Sequence, residues 1–353
     1  MPSLSVLVPG SIATRTGGYE YDRRIVEGLR ERGWNVDVRE LDSSFPFPTD
    51  DASEQAARVL AAIADGATVL VDGLAFGAMP DLAEAHASRL TLVALVHHPL
   101  AKETGLDAVV REALVASERR ALASVRGVVV TSERTAAGLA EYGVHRDRVT
   151  VVEPGTDPAP LARGSGGPEV SLLSLATVTP RKGYDVLVSA LARLRHLPWR
   201  LVCLGSLDRD PEYARQVRSL VDAARLADRV VFGGEADADA VREAYDRADV
   251  FVLPTRYEGY GMVVAEALAH GLPVIATATG AIPALVVDGS GVVVEPDDVE
   301  ALTRALEHAI GVSGALADMA AGARRVRARL PTWSAASGRM ADALTRLASG
   351  GRL

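Results

Sequence analysis

An α/β fold in two domains is what this sequence predicts, on three observations. Short apolar runs alternate with stretches of helical periodicity along the chain, the pattern of sheets covered by helices. The chain has 353 residues, 48% of them hydrophobic, enough for two sizeable cores. A stretch rich in Pro, Gly and Ser, PAPLARGSGGP at 158–168, reads as the linker between them. No repeat of fixed period is present, although both halves show the same strand–helix alternation.

The charge balance is 38 basic against 46 acidic side chains, net −8. That argues against nucleic acid as the main partner, because neutralising phosphates needs a basic face. A single cysteine, Cys203, excludes an internal disulfide and fits a reducing compartment. It lies in the run LVCL and reads as a core residue. The opening residues MPSLSVLVPG lack a basic segment and carry too short an apolar run for a signal peptide. No stretch approaches the ~20 apolar residues that a membrane-spanning helix needs. A cytoplasmic protein is expected, with a peripheral contact at the inner membrane face left open.

The first domain is read as follows. Residues 5–9 form a strand and 10–18, GSIATRTGG, a loop. A helix follows over about 19–32, with Ile25, Val26 and Leu29 facing inward and Gly33 ending it. Strand, glycine loop and helix raise a dinucleotide-binding fold, but the G-x-G-x-x-G fingerprint is absent, which disfavours a nicotinamide oxidoreductase. A strand over 36–41, a loop over 43–51 and a helix near 53–64 lead to a strand over 68–71. Asp72 stands at its carboxyl end, where ligands gather in open α/β sheets, although a turn-forming Asp explains it more simply. A strand over 92–96 ends in His97-His98-Pro99-Leu100, followed by Lys102, Glu103 and Thr104. Histidines at a strand's carboxyl end are poor core residues, and with no second ligand cluster in view no metal is expected. The helix over 106–124 carries Glu118, Arg119 and Arg120, read as a solvated face. A strand over 128–130, a helix over 134–142 and a strand over 149–152 bring the chain to Glu153-Pro154-Gly155-Thr156-Asp157.

The second domain opens with a strand over 170–176 and the segment TVTPRKG, which sets Arg181 beside Lys182-Gly183. Helices over 184–195, 212–225 and 238–247 alternate with strands over 200–204 and 230–232. The loops 205–208 and 233–235 follow those strands, where a base or ribose could lie. Val250-Phe251-Val252-Leu253-Pro254 reads as a buried strand. The glycine turn Glu258-Gly259-Tyr260-Gly261 then leads into a helix over 262–270, stopped by Gly271 at C′, and a strand over 272–276. This order sets Glu258 just ahead of a helix N-terminus and Glu266 about one turn inside it. Unpaired backbone N–H groups lie between them. Those amides and the helix dipole suit a phosphate, and the two carboxylates suit sugar hydroxyls on either side of it. Taken blandly, Glu258 is a loop acid and Glu266 a solvated helix residue. A strand over 292–294, a helix from 299 and a last helix opening at Pro331-Thr332-Trp333 complete the chain, with Trp333 read as a packing anchor.

The stretch EGYGMVVAEALAHGLPVIA resembles the E-x7-E signature of the GT4 retaining glycosyltransferases, whose fold is GT-B. That resemblance implies two Rossmann-like doubly wound domains facing across a cleft. Residues 1–157 would form the acceptor-binding domain, 158–168 the linker, 169–330 the nucleotide-sugar domain, and 331–353 a helix crossing back to the first. Gly17-Gly18 resembles the family's GG loop beside donor phosphates and acceptor. EPGTD at 153–157 is similar to the close of the first domain, with Gly155 in its turn and Asp157 retained. A histidine at the end of the 92–96 strand would contact sugar and acceptor. The H-x-L pattern favours His98, and His97 stays open; Glu103 is a candidate to orient an acceptor.

TVTPRKG resembles the family's GRLxxxKG element, in which an Arg and a Lys bind the donor diphosphate. Lys182 matches; Thr177 stands where the arginine is expected, and Arg181 is a candidate substitute. TGAIPA at 279–284 departs from the family's GGxPE loop at Ala281 and Ala284, so no role is carried over to it. The resemblance implies an enzyme of the hexosyltransferase type (EC 2.4). It would move a sugar from a nucleotide diphosphate sugar to a hydroxyl with retention, using no metal and no cofactor. Glu258, with the amides of Tyr260, Gly261, Met262 and Val263, would hold the transferred sugar, and Glu266 the ribose. Lys182 would stabilise the departing diphosphate. Donor sugar, base and acceptor (glycan, lipid or small metabolite) are not specified. Two other readings stand beside it: a nucleotide-sugar epimerase, and a non-catalytic nucleotide-sugar-binding scaffold.

Overall fold

The computed structural model describes residues 1–103 and 105–350. Thr104, after the histidine pair, and the last three residues of the expected 331–353 segment lie outside the described residues. The chain divides into two compact units, residues 1–155 with 331–353, and residues 156–330.

The first unit holds a six-stranded sheet of β1 Ser3–Pro9, β2 Asn35–Leu41, β3 Thr68–Asp72, β4 Thr91–Val96, β5 Gly127–Val130 and β6 Val149–Val151. Its order is β2-β1-β3-β4-β5-β6, and every pairing is parallel. The inner strands are Val- and Leu-rich and buried along their length, as parallel strands covered on both faces must be. The helices are α1 Gly17–Glu31, α2 Asp50–Ala61, α3 Gly73–Phe76, α4 Pro80–His86, α5 Ala108–Ala123 and α6 Glu133–Gly138. Tyr21, Asp22, Ile25, Val26 and Leu29 form the buried stripe of α1.

The second unit repeats the plan with β7 Val170–Leu175, β8 Trp199–Leu204, β9 Val230–Gly234, β10 Val250–Leu253, β11 Val274–Thr277 and β12 Gly291–Val294. The order is β12-β11-β10-β7-β8-β9, again parallel throughout. Its helices are α7 Tyr184–Ala192, α8 Pro211–Ala223, α9 Ala238–Arg247, α10 Met262–Ala269, α11 Ile282–Leu285, α12 Val299–Gly311 and α13 Ala315–Arg327. The last helix, α14 Trp333–Ala348, belongs to the first unit. There the Arg24 guanidinium lies over the Trp333 ring, 5.1 Å from its centroid.

Several local expectations need correction. Gly17 and Gly18 are the first residues of α1, not the end of the preceding loop. Gly233 and Gly234 close β9 instead of forming a loop after it. Residues 158–168 are hydrogen-bonded into the second unit: the Ala162 amide donates to the His270 carbonyl (2.9 Å) and Arg163 pairs with Asp246. Glu118 does not belong to a solvated face. It is 1% exposed, and its Oε2 accepts from the Leu100 amide at 3.0 Å. Burial pushes its carboxyl up to about 8.

Helix α13 was not anticipated, and Gly322 in its middle explains why. A Cβ there would overlap the backbone of Gly289 and Ser290, so the residue that weakens the helical signal is the one that lets the helix pack. Among the described residues no helix is long and apolar enough to cross a membrane.

Candidate functional site

In the second unit, Lys182 closes a 3₁₀ turn, Pro180–Lys182, and Gly183 follows with φ 68°. A Cβ on Gly183 would overlap the Pro254 carbonyl, so glycine lets this turn lie against the end of β10. The approach brings Lys182 Nζ to 2.6 Å from Glu258 Oε2, with side chains only 12% and 17% exposed. Two residues read as ligands for different parts of a donor thus meet each other directly.

The surrounding turn is held firmly. The Arg181 carbonyl accepts from the Arg256 amide (2.7 Å) and from Thr255 Oγ1 (3.0 Å). Arg256 grips both oxygens of Asp185 (3.0 and 2.7 Å) and reaches Asp297 with Nε (2.7 Å). The Tyr213 hydroxyl donates to the same Asp185 carboxylate at 2.5 Å. Burial alone would raise that carboxyl, but Arg256 and Tyr213 outweigh it and hold it below the usual range. Arg181 points its guanidinium at the Tyr257 carbonyl (3.1 Å), which braces the loop carrying Glu258.

Gly261, with φ 95°, is the N-cap of α10 and supplies no side-chain cap. The first helical bonds run from the Val264 and Ala265 amides to the Gly261 carbonyl (2.9 and 3.2 Å). The amides of Met262 and Val263 therefore stand at the open, positive end of the helix, a few residues beyond Glu258. One turn inward, Glu266 Oε2 accepts from the Tyr245 hydroxyl at 2.9 Å. Lys182, Glu258, the first-turn amides and Glu266 therefore all belong to the two segments that pack at the end of β10.

In the first unit the two histidines separate. His98 Nε2 lies 3.7 Å from Glu103 Oε2, an outer contact. His97 turns inward beneath α1. Gly18 faces its ring, which meets Tyr21 edge-on with centroids 5.3 Å apart. His97 Nε2 lies 3.1 Å from Asp22 Oδ1 and 3.5 Å from Asp72 Oδ2, and those carboxylates are 1% and 4% exposed. Burial alone would lower the imidazole pKa, but Asp22 and Asp72 outweigh it and push it up to about 10. Burial raises the Asp22 carboxyl, against the pull of His97. Asp72 also accepts from the Leu74 amide (2.7 Å), so the turn-forming role and the place beside His97 are both real.

Sequence reasoning missed Asp22, yet it left a signal. Asp22 sits with Ile25, Val26 and Leu29 at helical spacing, a charge inside an apolar stripe. One donor atom from each of Asp22, Asp72 and His97 lies within 4.8 Å of the others, so these groups could also hold a cation. The two carboxylates gathered around His97 were not visible in the sequence, and the 3.1 Å between His97 and Asp22 is a hydrogen-bond distance.

Two family patterns match the chain: Glycosyltransferase Family 4 over residues 66–160 and Glycosyl transferases group 1 over residues 162–326. The chain belongs to the GT4-type glycosyltransferases. It is 34% identical over 248 residues to the D-inositol 3-phosphate glycosyltransferase of Xylanimonas cellulosilytica, a match covering 65% of this chain and 58% of that protein. The chain thus spans little more than half the length of the curated relatives it matches first. Sucrose-phosphate synthase from Thermosynechococcus elongatus superposes with a TM-score of 0.83 at 21% identity, over 99% of this chain and 100% of that one. Anabaena Alr3699/HepE in complex with UDP-glucose gives 0.77 at 16% identity, over 97% and 99%. These likenesses are of fold: the two six-stranded parallel sheets are Rossmann-like units of the GT-B class.

Proposed function

We propose that this protein is a retaining glycosyltransferase that moves a sugar from a nucleotide diphosphate sugar to a hydroxyl, without a metal. The observation that carries the reading is the half-buried Lys182–Glu258 pair beside the open N-terminus of α10, with Glu266 one turn further in. A diphosphate offers negative charge to the amides of Met262 and Val263 and a second anion to Lys182, beside its partner Glu258. A sugar hydroxyl offers a proton to Glu258, and ribose hydroxyls offer theirs to Glu266. Donor binding then exchanges the Lys182–Glu258 contact for contacts to substrate on both partners. Arg181 serves the loop carrying Glu258 instead of standing in for the arginine that Thr177 replaces.

As the anomeric bond breaks, charge grows on the departing diphosphate, where Lys182 is fixed to receive it. In front-face substitution the acceptor oxygen bonds to the anomeric carbon on the side the diphosphate leaves, and the acceptor proton passes to a phosphate oxygen. In the first unit His97, not His98, is the histidine given to sugar and acceptor, because Gly18, in the first turn of α1, faces its ring. A reducing, cytoplasmic setting belongs to the same proposal and rests on the lone, buried Cys203.

The relative's name makes inositol phosphates the first acceptors to try, and HepE makes UDP-glucose the first donor. The test is turnover in EDTA with a donor panel, the product's anomeric configuration being read by NMR. Transfer with retention is expected, and Glu258→Ala should reduce it by orders of magnitude while the protein still folds, the melting temperature falling only by what the lost ion pair contributes. Inversion, a strict metal requirement, or full activity in Glu258→Ala would each contradict the reading.

A further inference from the structure

We infer that Tyr245 is a positioning residue for Glu266, orienting its carboxylate for the ribose of the donor; the inference rests on the ribose role proposed for Glu266. Tyr245 lies on α9 and is 2% exposed. Its hydroxyl is 2.9 Å from Glu266 Oε2 and 3.2 Å from the Val263 carbonyl. A phenol has one proton, and the carboxylate is the nearer and the charged acceptor, so it takes the stronger bond.

The ring itself is fixed. It stacks on His270 with centroids 4.8 Å apart and planes at 16°, and Phe251 lies 6.0 Å away on β10. His270 Nδ1 is 3.0 Å from the Pro160 carbonyl, which can only accept, so Nδ1 carries the proton and the imidazole is fixed in turn. Burial, with Glu266 beside it, keeps the Tyr245 phenol protonated far beyond the neutral range. The hydroxyl is therefore a permanent donor aimed at Glu266.

A carboxylate has about four acceptor positions. Tyr245 occupies one and thereby fixes the plane of the group, which leaves acceptor capacity in a defined direction for the two adjacent hydroxyls of a ribose. Without the phenol the Glu266 side chain regains rotamer freedom, and each bond to the ribose must restrict it again. The sequence hides this role. Tyr245 falls on the apolar stripe of α9 with Val241 and Ala244, where an aromatic residue reads as core.

The test is calorimetric titration of the full chain with UDP and GDP, each beside its 2′,3′-dideoxy analogue. The proteins compared are wild type, Tyr245→Phe and Glu266→Gln. Tyr245→Phe keeps the ring, its stack and its burial, and a melting curve checks the fold. Wild type should bind the ribose form of its preferred nucleotide about tenfold or more tightly than the dideoxy form. In Tyr245→Phe that ratio should collapse to about threefold or less, with dideoxy affinity close to wild type. In turnover its KM for donor should rise while kcat changes little. Undiminished discrimination in Tyr245→Phe overturns the inference alone, because a merely structural role would leave the ratio intact. Wild type that fails to discriminate, or binds neither nucleotide, overturns the ribose role of Glu266 and this inference with it.

Discussion

The residues that matter most are those whose environment contradicts their chemistry. Asp22 is a carboxylate buried in an apolar stripe, and His97 is an imidazole flanked by two such carboxylates. The linkage sign follows from the raised imidazole pKa. The charged ring contributes stability that is fully present below its unfolded value near 6.5 and is lost as pH rises through about 10. In an NMR titration the His97 ring should stay protonated through pH 8 in wild type. Asp22→Asn removes one of the two charges that sustain it, so the ring should then titrate at a lower pH. A wild-type midpoint near 6.5 would show that the two carboxylates do not hold the charge. Much of this was legible in principle: the spacing of Asp22, Ile25, Val26 and Leu29 marks a charge on a core face. Which histidine turns inward was not, because His97 and His98 are adjacent, and only the path of the loop after β4 separates them.

Elements were legible where glycine and periodicity agree, and illegible where they conflict. The glycine turn before α10 and Gly271 after it mark that helix from both sides, so Glu258 and Glu266 fall close to where the sequence puts them. In α13 the signals oppose each other. A glycine inside a helix costs about 1 kcal/mol relative to alanine, which argues against helix; here it is the contact with Gly289 that demands it. Gly322→Ala should therefore lower the melting temperature despite its better helix propensity, by several degrees for a loss of a few kcal/mol. A neutral or stabilising result would mean that α13 can shift away from Gly289 at little cost. Glu118 teaches the same lesson on α5: charged neighbours at Arg119 and Arg120 make it look solvated, and the distant segments at Gly77 and Leu100 that pack on it are what local sequence does not reveal.

At the scale of the whole molecule, alternation of apolar runs and helices was enough to foretell two parallel α/β units. Strand order was beyond it, since β1 pairs with both β2 and β3 and β7 with both β8 and β10 through crossovers that local pattern does not encode. The same holds for the chain's return: residues 331–353 group with the first unit although the preceding 175 residues, 156–330, form the second. The central claim concerns that second unit, namely that Lys182, Glu258, Glu266 and the open end of α10 form a nucleotide-diphosphate site. The most direct measurement is a thermal melt in EDTA with UDP, GDP, ADP, dTDP and CDP, for wild type and Lys182→Ala. At about 100 times its dissociation constant, the matching nucleotide should add about 2.7 kcal/mol and raise the wild-type transition by several degrees. Most of that shift should vanish in Lys182→Ala at the same concentration. No shift with any of the five, or an equal shift in Lys182→Ala, would contradict the account.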